Sequence, residues 1–329
     1  MPVRRKKSKE VALVLSSGGP RGLAFIGAIE ELISRGYKIT SIAGTSMGSL
    51  VGGVFAAGGL SEFKEWIYSV DHLDMLKYLD VTISAGYLMK GEKVIEALAE
   101  IVPDMDIRDL PIPYTTLASD LYTGEKVVFR EGSLLDAIRA SISVPSLFKP
   151  YRIGAKTLVD GGLVSTFPLG YVHRSGHDIL VGFNVNSADL DPALQDYLDA
   201  RYAYEQAEDR STEAIDSIIE DPVLPFKKKV MMIGKQGQLV LRNRVAESKL
   251  DSAAKNADGN YLSIISRSFG VANHSIAELE KQLYKPEVLV EMPFDSYRAM
   301  KDYSKAREIS ERGRALMAAA LDRYEGKAE

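Results

Sequence analysis

The chain is 329 residues long with 46% hydrophobic and 26% charged residues, which is ample for a packed core and outside the range of disordered or fibrous sequences. It has no Cys, which excludes disulfides, thiolate zinc sites, iron–sulfur clusters and a cysteine nucleophile, and its 4 His (His72, His173, His177 and His274) are too scattered for a metal centre. A net charge of −4 offers no basic field for nucleic acid, and no residue pattern calls for a cofactor.

Residues 1–10 carry Arg4, Arg5, Lys6, Lys7 and Lys9 against Glu10 and are expected to form a basic, disordered tail. The apolar run Val11–Leu15 behind them is too short for a signal peptide. Near anionic lipid each such cation adds about 1 kcal/mol, so the tail is compatible with peripheral membrane contact. Ile39–Ser61 lacks charge and is long enough to span a bilayer, but Gly44, Gly48, Gly52, Gly53, Gly58 and Gly59 interrupt it. Each interior glycine costs a helix about 1 kcal/mol relative to Ala. The stretch therefore predicts a buried strand, a turn and a buried helix, in a protein that is cytoplasmic or peripheral to the membrane.

Val11–Ser16 predicts a strand buried on both faces, followed by the glycine loop Gly18-Gly19-Pro20-Arg21-Gly22. Phe25, Ala28, Ile29, Leu32 and Ile33 then repeat at helical spacing, which predicts an amphipathic helix over Gly22–Arg35. Ile39–Ala43 predicts a second strand, Gly44–Gly48 a turn and Ser49–Ala57 a small-residue helix. Helices are expected over Glu62–Ser69 and Glu92–Ile101, and strands over Tyr114–Ala118 and Lys126–Phe129. Ser133 and Asp136 have capping-box spacing ahead of a helix that Pro145 must end. Thr157–Asp160 and Asp178–Val185 complete the strands, so the α/β core is assigned to 11–186. Beyond it, 187–329 reads as mainly helical, with long helices over Leu190–Glu220 and Asp295–Glu325, a short strand at Val230–Ile233 and a helix capped by Ser275 and Glu278. That region is expected to be a helical cover packed on the core, a lid, a membrane-docking face or an oligomerisation surface. The oligomeric state cannot be read.

Gly44-Thr45-Ser46-Met47-Gly48 has the G-x-S-x-G form between a strand and a helix, the context of a nucleophile elbow. A right-handed βαβ crossover would bring the glycine loop to the same sheet edge, where its backbone N–H groups can face an oxygen held over Ser46. The loop lacks the spacing of a dinucleotide or P-loop motif. A serine needs a base, and Asp160, ending an apolar strand before Gly161-Gly162, is the best candidate. Capping a turn is the alternative role for that Asp.

The segments SSGGPRGLAFIGAIEEL, GTSMGSLVGGVFAAG, AIRASISVPSLFKP and TLVDGG, in this order, resemble the patatin-like phospholipase family over roughly residues 11–185. The resemblance implies a three-layer α/β/α fold with a mostly parallel central sheet, and hydrolysis of lipid acyl esters without a metal. It also implies a Ser46–Asp160 dyad, an oxyanion hole at Gly18, Gly19 and the Arg21 backbone, an elbow framed by Gly44 and Gly48, and a supporting turn at Gly161 and Gly162. Ser17 stands where many members carry a first glycine, and Val164-Ser165-Thr166 replaces an Asn-containing turn. The Arg21 side chain is expected to anchor its own loop. The histidines are expected at the surface or in turns, with His274 just before the Ser275 cap. Phe63, Trp66 and Tyr68 share a predicted helix and are assigned to core packing ahead of an acyl channel. Two rivals remain: an esterase with a Ser-Asp-His triad drawing on His173, His177 or His274, and a non-catalytic module that binds lipid or an anion at the glycine loop.

Overall fold

The computed structural model describes residues 9–71, 74, 77–78, 87–188, 214, 216–220, 228, 232, 261–294, 296–297 and 302–327. The tail through residue 8, His72, all but residue 232 of the strand expected at 230–233 and most of the helix expected over 190–220 lie outside them, and residue 232 is helical. The chain divides into two compact units, Met1–Asp189 together with Phe269–Glu329, and Leu190–Ser268. The chain from 269 onward thus groups with the residues of the α/β core.

In chain order the first unit begins β1 (Glu10–Leu15), a 3-10 turn (Gly19–Leu23), α1 (Ala24–Ser34), β2 (Lys38–Thr45), α2 (Met47–Ala56) and α3 (Leu60–Ser69). It continues through α4 (Glu92–Ile101), β3 (Tyr114–Asp120), β4 (Lys126–Phe129), α5 (Leu134–Ser141), β5 (Tyr151–Ile153), β6 (Lys156–Asp160) and β7 (Ile179–Ser187). After α6 (Tyr261–Tyr284), which crosses the boundary between the units, come β8 (Val288–Pro293), a 3-10 turn (Asp302–Lys305) and α7 (Ala306–Glu325). The helix expected from Gly22 thus begins two residues later, after a tighter turn that contains Pro20 and a Gly19 at φ +54°.

The eight-stranded sheet runs β5-β6-β3-β2-β1-β7-β8, with β4 also paired to β3. The β2–β3, β1–β2, β1–β7 and β7–β8 pairs are parallel, and β3–β4, β3–β6 and β5–β6 are antiparallel. Side chains of a strand alternate between faces. On β1, Val11, Leu13 and Leu15 join the large core with α1, α2 and α7, whereas Ala12 and Val14 join a second cluster with Phe167, Leu169 and Ala277 of α6. Helices therefore cover both faces, giving the three-layer α/β/α arrangement with a mostly parallel sheet.

Two strands escape the sequence patterns. β5 has only three residues, and β8 lies in a region assigned to helices although Val288, Val290 and Met292 alternate inward. The helix start expected at Ser275 is corrected: α6 runs through that position, and the Ser275 hydroxyl donates to the Val271 carbonyl at 3.1 Å. Such back-bonding leaves the serine inside the helix rather than capping it. The cap expected at Ser133 is present, with the Asp136 N–H donating to Ser133 Oγ at 3.0 Å. Phe63 and Trp66 pack on the large core. Among the described residues no helix is long and apolar enough to cross a membrane.

Candidate active site

Parallel neighbours in an α/β sheet end at the same edge, and that edge is where ligands collect. β1 ends at Leu15 and β2 at Thr45, side by side, so the glycine loop and Ser46 emerge together. Ser46 takes φ 55° and ψ −119° between β2 and α2, a conformation non-glycine residues adopt only where the surroundings enforce it. A Cβ on Gly44 would lie 2.2 Å from the Gly48 carbonyl oxygen, and one on Gly48 2.3 Å from that of Leu15, so any side chain at either position would break the elbow. A Cβ on Gly22 would lie 2.3 Å from Met47 Cγ, which shows how closely the glycine loop sits on the elbow.

Asp160 reaches this edge from β6, antiparallel to β3 and held at both backbone groups. Its N–H donates to the Ser143 carbonyl at 2.9 Å, and its carbonyl accepts the Ser119 hydroxyl at 2.9 Å. Its Oδ1 accepts the Gly162 N–H at 2.7 Å, so the turn-capping role is real, while Oδ2 is buried and has no completed hydrogen bond. The Ser46 side chain faces the carboxyl closely enough to favour its ionised form, yet the pair stops short of a closed hydrogen bond. Catalytic hydrogen bonds of this kind often tighten only in the complex with substrate. Ser46 and Asp160 are 5% and 3% exposed. Burial pushes the Asp160 carboxyl up to about 6, and the Ser46 hydroxyl and the Gly162 N–H only partly oppose it.

The departures from the family pattern have structural answers. The Ser17 N–H donates to the Thr166 carbonyl at 2.8 Å, tying the glycine loop to the turn after Asp160 and removing that N–H from the pool of donors. Among the described residues the N–H groups of Gly18 and Gly19 have no acceptor. The Arg21 side chain is the expected anchor, with Nε donating to the Val185 carbonyl at 2.9 Å and weaker contacts at 3.4 Å to the Tyr297 carbonyl and Asn186 Oδ1. Where an Asn-containing turn was missing, Glu280 of α6 supplies a clamp. Its Oε2 accepts the Phe167 N–H at 2.7 Å and its Oε1 the Ser165 hydroxyl, and burial pushes this carboxyl up to about 7.

Four further residues went unrecognised in the sequence. Ser141 Oγ accepts the Ser46 N–H at 2.9 Å, and Asn186 Nδ2 donates to the Ser17 carbonyl at 2.6 Å. Glu280 is the third, and Tyr303, whose hydroxyl approaches Gly19, the fourth. Asn186 had a readable signal, a polar residue at the C-terminal end of an apolar strand; Glu280 is one acid among many in a charged helix. No hydrogen bond or ion pair joins a histidine to Ser46 or Asp160 among the described residues. His173 and His177 are exposed. His274 departs from the surface or turn position expected for it: it is half-buried within α6, with Nδ1 2.9 Å from the Asn186 carbonyl oxygen.

A family model for patatin-like phospholipase matches residues 13–173. Uncharacterized NTE family proteins of Mycobacterium bovis and Mycobacterium tuberculosis are 33% identical, over 98% of this chain and 94% of theirs. The chain belongs to the patatin-like phospholipase family. Another relative is patatin-like phospholipase domain-containing protein 7 of Mus musculus, 29% identical over 58% of this chain and 14% of its own length. The crystal structure of VipD from Legionella pneumophila aligns with a TM-score of 0.45 at 13% identity, over 97% of this chain and 67% of that one. Membership in the patatin-like phospholipases makes this chain a lipid hydrolase at the level of the family.

Proposed function

We propose that this protein is a serine lipid acyl hydrolase, acting through Ser46 and Asp160 on acyl esters of phospholipids, lysophospholipids or related lipids. Ser46 Oγ attacks the ester carbonyl as its proton passes to the Asp160 carboxylate. The tetrahedral oxyanion accepts hydrogen bonds from the backbone N–H groups of the Gly18–Arg21 loop and collapses to an acyl-serine, while Asp160 returns the proton to the departing alcohol. Water, deprotonated by the same carboxylate, then releases the fatty acid and restores Ser46. The observation that carries this reading is a buried carboxyl facing the Ser46 hydroxyl, with a pKa pushed up to about 6, where it is ionised at neutral pH and still basic enough to take a proton. Among the described residues no histidine makes a corresponding contact. Lipid is met from the water side of the membrane, as the basic residues near the N terminus favour.

The test is fluorophosphonate labelling together with fatty-acid release from phospholipid, lysophospholipid and neutral glyceride panels. Ser46→Ala abolishes labelling and release, and Asp160→Asn abolishes release in a protein that still folds. Release surviving either substitution would overturn the dyad. A wild-type protein that neither labels nor turns over any panel would favour the non-catalytic binding module.

A further inference from the structure

Tyr303 occupies the 3-10 turn Asp302–Lys305 that leads into α7, just as Gly19 occupies the 3-10 turn that leads into α1. The two helices touch backbone to backbone. A Cβ on Gly27 would lie 2.0 Å from the Ser310 carbonyl oxygen, and one on Gly313 2.0 Å from that of Ala24. Such contact fixes the register of α7 on α1, so the turns ahead of the two helices are held together in one frame. The Tyr303 ring packs on the large core. Its hydroxyl comes to 3.9 Å from where a Cβ on Gly19 would stand, beside the loop whose N–H groups at 18 and 19 lack acceptors. It also lies near enough to feel the charges of both Arg21 and Asp160. Among the described residues this hydroxyl of the half-buried Tyr303 has no hydrogen-bond partner.

We propose that the Tyr303 hydroxyl is a catalytic donor, giving a hydrogen bond to the oxyanion that forms over Ser46 alongside the glycine-loop N–H groups. This rests on the reading of Ser46 as nucleophile. The chemistry suits the position. Burial pushes the phenol up to about 12, with Arg21 drawing it down and Asp160 pushing it further up, so it stays protonated and can donate throughout the working range. A donor held by a packed ring needs no reorganisation when charge develops, and this is what makes such groups effective.

Tyr303→Phe removes the oxygen and keeps the ring. With a p-nitrophenyl acyl ester as substrate, kcat falls by about a hundredfold while KM and Tm stay close to wild type. A fall smaller than about tenfold overturns the assignment. If the Phe variant melts early, site-specific incorporation of 3,5-difluorotyrosine at 303 decides. Its phenol ionises at far lower pH, so kcat is lost reversibly on the alkaline side if the hydroxyl donates, and follows the wild-type profile if it does not. Ser46→Ala, assayed in parallel, separates the two failures: activity retained there sinks the nucleophile, whereas activity retained only in the Tyr303 variants sinks the donor.

Discussion

The hydroxyl of Ser141 accepts the backbone N–H of Ser46 at 2.9 Å. Two residues later the Ser143 carbonyl accepts the Asp160 N–H at 2.9 Å, and Ser143 Oγ is in turn gripped by Arg139 Nη1 at 2.7 Å. One short segment at the end of α5 thus holds the backbones of both members of the proposed dyad and sets the distance between them. Ser141→Ala leaves the Ser46 N–H buried without an acceptor, at a cost of about 1–3 kcal/mol. The expected result is a lower Tm and a kcat reduced by about ten- to a hundredfold, because small misplacements of reacting groups are expensive. Thermal melts and single-turnover rates check both, and a variant with wild-type kcat would mean the segment does not position the elbow.

The base proposed at Asp160 can work only when ionised, and the carboxyl there is pushed up to about 6. The pH profile of kcat/KM should therefore fall on the acid side near that value, with a slope of one proton. A profile flat to pH 5 would exclude Asp160 as the base.

The same shift fixes a stability trend. Asp160 and Glu280 both have pKa values raised by burial, so the folded chain binds their protons more tightly than the unfolded chain does. Their contribution is fully present below the ordinary carboxylate range and is lost as pH rises through about 6 and about 7. Each shift corresponds to on the order of 3 kcal/mol. Asp160→Asn should accordingly melt above wild type at pH 8, and the gap should close toward pH 4. An equal gap at both pH values would show that the carboxyl is not held in the desolvated state described.

Glu280 joins α6 to the turn after Asp160, and that turn also meets β2, since Thr45 Oγ1 donates to the Ser165 carbonyl at 3.0 Å. In Glu280→Leu both the Ser165 hydroxyl and the Phe167 N–H lose their acceptor. Two buried donors are then unpaired, for about 1–3 kcal/mol each. The expected outcome is a lower Tm, together with a reduced kcat/KM whose acid limb is displaced, because the Asp160 turn is loosened. A loss of Tm with an unchanged pH profile would confine Glu280 to stability.

How far the sequence reached follows from the range of each interaction. β1, β2, α1 and α2 were legible because a buried strand, a glycine turn and a 3.6-residue repeat are local patterns, and the strand–helix turn that carries Ser46 was legible because an elbow needs glycines in fixed places. The place of Asp160 at the end of a strand could be read from its own Gly161-Gly162 turn. Glu280 and Tyr303 gave no local sign. Each reaches the site from an element that joins the core only after a long excursion of the chain, and neither a Glu in a charged helix nor a Tyr before one differs from its neighbours in pattern. β8 was hidden for a related reason: six residues of alternation between helices declare a strand only when β7 is there to receive them.

Gly313 lets two opposing effects be weighed. It lies inside α7, where replacing Gly by Ala should stabilise an isolated helix by about 1 kcal/mol. Here the added Cβ would stand 2.0 Å from the Ala24 carbonyl oxygen and 2.6 Å from its carbon, atoms of the α1 backbone that cannot rotate aside. Overpacking of a close-packed contact costs about 1–3 kcal/mol and more when backbone must move, so the steric term wins over the propensity gain. Gly313→Ala is thus expected to lower Tm despite being the better helix former. Because α1 and α7 each follow a turn that meets at the site, separating them should also draw Tyr303 away from Gly19 and depress kcat in the variant that remains folded. A rise in Tm would show that the helices do not approach at this glycine, and would remove the frame on which the placement of Tyr303 depends.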